Sequence, residues 1–164
     1  MATKQISVER FSVISKKPLQ TVIGRFNSAL GHPPPEVFWR AVERTRTFPA
    51  LEKVVRQSLG PSGFMQFFRF DHDEILWRAY GDSTPRIKRF LIGNPLIMKQ
   101  MVEHVPDAGS YAPLTILIDE RPDGVHLSYD RMASLLAPYQ NPPAMKVARD
   151  LDSKVEALLT AAAR

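Results

Sequence analysis

Apolar and polar residues recur at strand or helix spacing along almost the whole chain. From Gln5 to Ile14 they alternate loosely with period two, which predicts a strand. Pro18 stands where a first helical turn tolerates it. Leu19, Val22, Ile23, Phe26 and Leu30 then recur every three or four residues, forming one apolar face of a helix. Gly31-His32-Pro33-Pro34-Pro35 ends that helix, because proline cannot continue one and restrains the residue before it. Val37, Phe38, Ala41, Val42 and Thr45 mark a second helix. Leu51, Val54, Val55, Ser58 and Leu59 mark a third, stopped by Gly60-Pro61.

The middle of the chain reads as extended. Residues Gly63 to Phe70 are dense in aromatics, and Asp71-His72-Asp73 is a polar break. Glu74 to Tyr80 continue as an apolar, strand-like run up to the turn cluster Gly81-Asp82-Ser83-Thr84-Pro85. Arg86 to Ile92 form a further strand ending at Gly93. Asn94 is a favoured helix cap and Pro95 a favoured first helical residue. Met98, Met101, Val102 and Val105 form the buried stripe, and Pro106 is the stop. Ala112 to Asp119 predict a strand with Leu114, Ile116 and Ile118 on one face. Pro122-Asp123-Gly124 turns the chain, and Val125, Leu127 and Tyr129 alternate with His126 and Ser128 in a return strand, giving an antiparallel hairpin. Asn141-Pro142-Pro143 opens a long final helix with the stripe Ala144, Val147, Ala148, Leu151, Val155, Leu158, Leu159 and Ala162. No repeat or linker divides the chain. The elements predict a single α+β domain: a mainly antiparallel sheet with helices packed on one face, plus a helical pair near residues 35–60.

The order Ile92-Gly93-Asn94-Pro95, a strand opened by Pro113, and Gly124-Val125-His126-Leu127-Ser128-Tyr129 resembles the bacterial and archaeal family catalogued as domain of unknown function 302. The family pattern has a hydrophobic strand ending in Gly-Asn-Pro, a strand opened by Leu-Pro, and a Gly-x-Val-x-x-x-Tyr return strand. Here Ala112 replaces the leucine and Val125 follows Gly124 directly. The resemblance is strongest over residues 86–140, and residues 35–60 look like an addition to the shorter members. It implies a compact α+β domain that forms a homodimer, and it carries over no activity.

Composition narrows the chemistry. With no cysteine among 164 residues, disulfides, thiolate nucleophiles and Cys-ligated metals are excluded. No apolar run is long enough to span a bilayer. No apolar h-region follows the first residues, so a secretory signal is not expected and the cytoplasm is the expected location. The net charge of +5 divides into +8 for residues 1–100 and −3 for residues 101–164. Such a split suits a basic face for an anionic ligand or for nucleic acid, and equally an attraction between two halves of one domain or between two copies of it.

The leading expectation is a small-molecule binding domain for an anionic or aromatic ligand, with Arg69, Gly93, Asn94, Tyr111, His126 and Tyr129 as candidate contacts. Gly93-Asn94-Pro95 opens a helix, where unpaired N–H groups favour an anion. His126 lies mid-strand on the face opposite Val125 and Leu127, with Asp119 and Tyr129 nearby. The alternative is therefore an enzyme using histidine acid–base chemistry in a sheet-face cleft, with a haem- or metal-assisted variant. His104 closes its helix, where a cation suits the dipole. A third reading, nucleic-acid binding through Arg40, Arg44, Arg46, Lys53 and Arg56 of the helical pair, ranks last because Glu43 and Glu52 interrupt the patch. Asp71-His72-Asp73-Glu74 has no metal-loop spacing, and no metal site is expected there. No P-loop, dinucleotide fingerprint or nucleophile elbow is present, and no cofactor or catalytic residue is assigned.

Overall fold

A computed structural model describes Met1 and residues 3–164. Five antiparallel strands form one sheet: β1 (Arg10–Ser15), β2 (Met65–Asp71), β3 (Ile87–Gly93), β4 (Leu114–Arg121) and β5 (Gly124–Asp130), in the order β1-β5-β4-β3-β2. The helices are α1 (Leu19–Ser28), α2 (Pro35–Glu43), α3 (Phe48–Ser58), α4 (His72–Tyr80), α5 (Pro95–Val102), α6 (Met132–Leu136) and α7 (Pro142–Ala163). Helices cover one face of this antiparallel sheet, as the alternation predicts.

Register sets what that face presents. Phe90, Ile116 and Tyr129 lie in one row across β3, β4 and β5, and Ile118 and Leu127 in the next. All five are buried against Leu19, Val22 and Phe26 of α1 and Leu151, Val155 and Leu159 of α7. Phe26 and Phe90 meet edge-on with ring centroids 5.0 Å apart, a favourable aromatic geometry. On the opposite face of the sheet Ile14, Phe68 and Phe70 remain exposed.

The largest departure from the sequence pattern is α4. Residues Glu74 to Tyr80 read as extended because Ile75, Leu76 and Trp77 are consecutive apolar residues, yet they are helical. The helix carries Asp73 and Glu74 in its first turn, where carboxylates complement the N-terminal dipole. It stops at Gly81, whose φ of 56° is a conformation glycine adopts without strain. Ile75, Trp77 and Tyr80 are all exposed. The acidic residues at this junction are engaged by basic side chains: Lys88 Nζ lies 3.0 Å from Asp71 and 2.8 Å from Asp73, and Arg69 lies 2.7 Å from Asp71. The first strand also begins later than the alternation indicates, at Arg10 rather than Gln5.

Asn94 caps α5 as its position predicts. Its Oδ1 accepts from Leu96 N at 2.9 Å, and its Nδ2 donates to Gly63 O at 3.0 Å, tying the helix start to the entrance of β2. Replacing Asn94 by alanine removes both bonds and should lower stability by about 1–2 kcal/mol, read as a lower urea midpoint at unchanged m-value.

A candidate apolar binding cavity

Helices α2 and α3 pack against each other, and their Phe38 and Val55 form a small core with Met65 of β2, beside Phe67 and Leu96. The α2 stripe supplies Phe38 and Val42. Thr47 caps α3 by accepting from Ala50 N, which sets Leu51 and Val55 facing the same way. Between this pair and the first turns of α5 lies a cavity of about 480 Å³. Such a volume falls within the range of about 300–1,000 Å³ that holds small-molecule ligands.

Phe38, Val55, Met101 and Leu151 are buried lining residues, and Trp39 and Phe48 are half-exposed ones. Gly93 is part of the wall. A Cβ there would lie 3.3 Å from the Phe67 ring and 3.8 Å from Pro113 Cβ, so the bare glycine leaves room for both. Asn94 borders the cavity, but its amide is taken up by the two bonds to Leu96 and Gly63. Lys99 is the one charged residue in the lining, and its Nζ sits 5.6 Å from the Phe48 ring centroid.

The start of α5 has no N–H left for an anion. Pro95 lacks one, Leu96 N donates to Asn94 Oδ1, and Ile97 N and Met98 N donate to Asn94 O at 3.1 and 3.0 Å. The helix terminus at Gly93-Asn94-Pro95 is therefore internally satisfied, and what it offers a ligand is apolar wall.

Of the six residues singled out in the sequence, Gly93 and Asn94 come together at this cavity and the other four lie elsewhere. Arg69 is paired with Asp71, and its guanidinium lies 5.7 Å from the Phe90 ring centroid. Tyr111 ends a 3-10 turn spanning Pro106–Tyr111 and packs partly buried against the main core. His126 Nε2 lies 2.8 Å from Asp123 Oδ1 within its own hairpin. Asp119 is the cross-strand partner of His126, but its carboxylate accepts from Arg121. Tyr129 points to the helix-covered face, so the sheet itself separates its hydroxyl from His126.

The Tyr129 hydroxyl instead donates to Asp152 Oδ1 at 2.8 Å. That carboxylate also accepts from Met132 N at 2.8 Å and Ala133 N at 3.0 Å. Burial pushes the Tyr129 hydroxyl above its ordinary value, and the neighbouring Asp152 charge acts in the same direction. Burial likewise pushes the Asp152 carboxyl up, against the hydrogen bonds from Tyr129, Ala133 and Met132. The group is an internal tie between β5, α6 and α7. A signal for it was present: Asp152 stands among Ala148, Leu151 and Val155 at helical spacing, a carboxylate inside an apolar stripe.

Among the described residues no three His, Asp or Glu side chains gather as a metal-ligand set, and no helix is long and apolar enough to cross a membrane. On the helical pair Arg40, Arg44, Arg46 and Lys53 are exposed, while Arg56 is paired with Glu52 at 2.6 Å.

No curated protein matches the chain. A crystal structure of an uncharacterized conserved DUF302 protein from Bacillus stearothermophilus matches its fold with a TM-score of 0.66, over 94% of this chain and 98% of that one, at 13% sequence identity. The family described as "Domain of unknown function DUF302" matches residues 40–162. That span starts within α2 and includes all of α3, so most of the helical pair lies inside the family match, which extends well beyond the 86–140 segment that carries the motifs. Since the match covers well over half of the chain, this protein belongs to the DUF302 family.

Proposed function

We propose that this protein binds an apolar or aromatic small molecule in the cavity between the α2–α3 pair and α5. The observation that carries this reading is the lining itself: about 480 Å³ bounded by aliphatic and aromatic side chains, with one amide already satisfied and one charge. Apolar surface held in this way is stabilised by whatever removes it from water, at about 25 cal/mol per Å². The half-exposed Trp39 and Phe48 supply flat aromatic surfaces of the kind that contact ligands. Compared with the expectation from sequence, the binding region moves from the sheet face to the helical pair, and an apolar ligand body takes precedence over an anionic one.

Nile red, a neutral fluorophore, is the direct probe. The wild-type protein is expected to raise its fluorescence saturably. Val42→Trp, which fills the cavity from α2, is expected to abolish that rise while the circular dichroism spectrum stays that of the wild type. Absence of a saturable signal with the wild type, or an undiminished one with a folded Val42→Trp, would refute the reading.

A further inference from the structure

The cavity has one ionic group, and its placement bears on the class of ligand. We infer that the ligand is an amphipathic monocarboxylate, with its apolar tail inside the cavity and its carboxylate at Lys99; this rests on the binding reading above. Lys99 lies on the outer side of α5, one turn beyond Pro95, with its side chain half exposed. Its Nζ is 5.6 Å from the ring centroid of Phe48, itself a half-exposed lining residue, so the ammonium stands beside the cavity wall where solvent still reaches it.

A cation in that position can pair with a head group that keeps much of its hydration, which avoids the large penalty of burying a charge. The deep lining gives no such partner. Phe38, Val55, Met101 and Leu151 are apolar, and Asn94 is already bonded through both side-chain atoms. A ligand with a second charge at its far end would leave that charge unpaired against these residues. A neutral ligand of the same shape would leave Lys99 with Glu103 as its partner and draw nothing from its charge.

The present partner of Lys99 is Glu103, one helical turn further on, at 2.6 Å. Both groups are exposed, and exposed pairs of this kind contribute little. A ligand carboxylate can share or replace Glu103 at small cost. Because Lys99 lines the cavity and Glu103 does not, charge complementarity selects carboxylates over amines, and the apolar lining selects a hydrocarbon tail over a polar one.

The test uses decanoate and decanol below their micellar concentrations, each displacing Nile red from the full-length protein. Decanoate is expected to bind more tightly than decanol, and octanoate more weakly than decanoate, by about fourfold per methylene if the tail is buried. Lys99→Gln is expected to weaken decanoate by up to about fivefold, the upper end for an exposed ion pair. It should leave decanol unchanged, and Lys99→Arg should restore decanoate. Added salt should weaken decanoate alone.

If Nile red binds but Lys99→Gln leaves decanoate unaffected, or weakens decanol equally, the carboxylate assignment is overturned and the apolar binding reading stands. The assignment is overturned in the same way if Nile red binds and neither compound displaces it. If Nile red itself does not bind, both readings fall together.

Discussion

Replacing Asp152 by alanine is expected to lower the unfolding free energy by about 3–5 kcal/mol, measured by urea denaturation. The side chain is buried, and its two oxygens take hydrogen bonds from Tyr129 Oη, Met132 N and Ala133 N. Alanine leaves all three donors without that acceptor. Two of them are backbone groups of the first turn of α6: Ala133 N has no other side-chain acceptor, and Met132 N keeps only a longer bond to the Tyr129 hydroxyl at 3.2 Å. The cost of an unsatisfied buried donor, about 1–3 kcal/mol, therefore applies more than once. Tyr129→Phe removes only one of the donors and should cost less, about 1–2 kcal/mol. In a double-mutant cycle the two losses should not add, because they share one hydrogen bond.

The same residue has a pH signature of definite sign. Burial raises the Asp152 carboxyl above its ordinary value, so the folded state holds this proton to higher pH than the unfolded state does. Its contribution is complete below the unfolded carboxylate value and declines as pH rises through the folded one. Asp71 behaves oppositely. Burial alone would push it up, but hydrogen bonds from Lys88 and Arg69 hold it below its ordinary value. Its stabilisation is present above the unfolded value and is lost as pH falls through the folded one. Urea midpoints compared across the acidic range should show the Asp152 contribution declining with rising pH in the wild type and not in Asp152→Ala.

Gly31→Ala is expected to be comparably damaging, at about 3 kcal/mol or more by the same measurement. A Cβ on Gly31 would stand 1.9 Å from Ser58 O and 2.9 Å from both Leu59 C and Gly60 N. These obstacles are backbone atoms and cannot swing aside as a side chain can. The chain leaving α1 and the chain leaving α3 cross here. Gly31 N and Gly60 N both donate to Phe64 O, at 3.0 and 2.9 Å, and Gln66 N donates to Gly31 O at 2.9 Å. Those bonds hold the helical pair to the start of β2, so a forced separation also loosens the cavity. Gly24→Ala is the matched control. That glycine lies within α1 with open space around it, and alanine there should be neutral or slightly stabilising, since it removes unfolded-state freedom at a helical position. An unchanged midpoint for Gly31→Ala would refute the close crossing.

Several parts of this architecture are legible in the chain itself. The β4–β5 hairpin follows from strict alternation about Pro122-Asp123-Gly124. The caps at Asn94 and Asn141 follow from a short polar side chain placed just before proline. The last helix follows from a stripe that persists along its whole length. All of these are local. Each depends on backbone preferences and spacing within about one turn or one strand pair, and the chain carries that information wherever it folds.

What remained outside reach depends on residues far apart in sequence, or on a choice that spacing alone leaves open. Segment 74–80 is a helix because its first-turn carboxylates and Gly81 outweigh a short apolar run, and length alone could not separate the two at that size. The glycines at 31 and 60 read as helix stops. Only the crossing of two chains shows that they are also places where a side chain cannot fit. Alternation already separates Tyr129 from His126, but that the Tyr129 hydroxyl meets Asp152, 23 residues further on, is decided by how α7 packs on the sheet. The cavity is decided in the same way. Phe38, Val42, Leu51, Gly93 and Lys99 come from three helices and a strand, and no spacing along the chain brings them together. The sequence determined most of the elements, α4 excepted, and the family to which the protein belongs. Packing alone decided the cavity, because a cavity is the space that long-range contacts leave between elements.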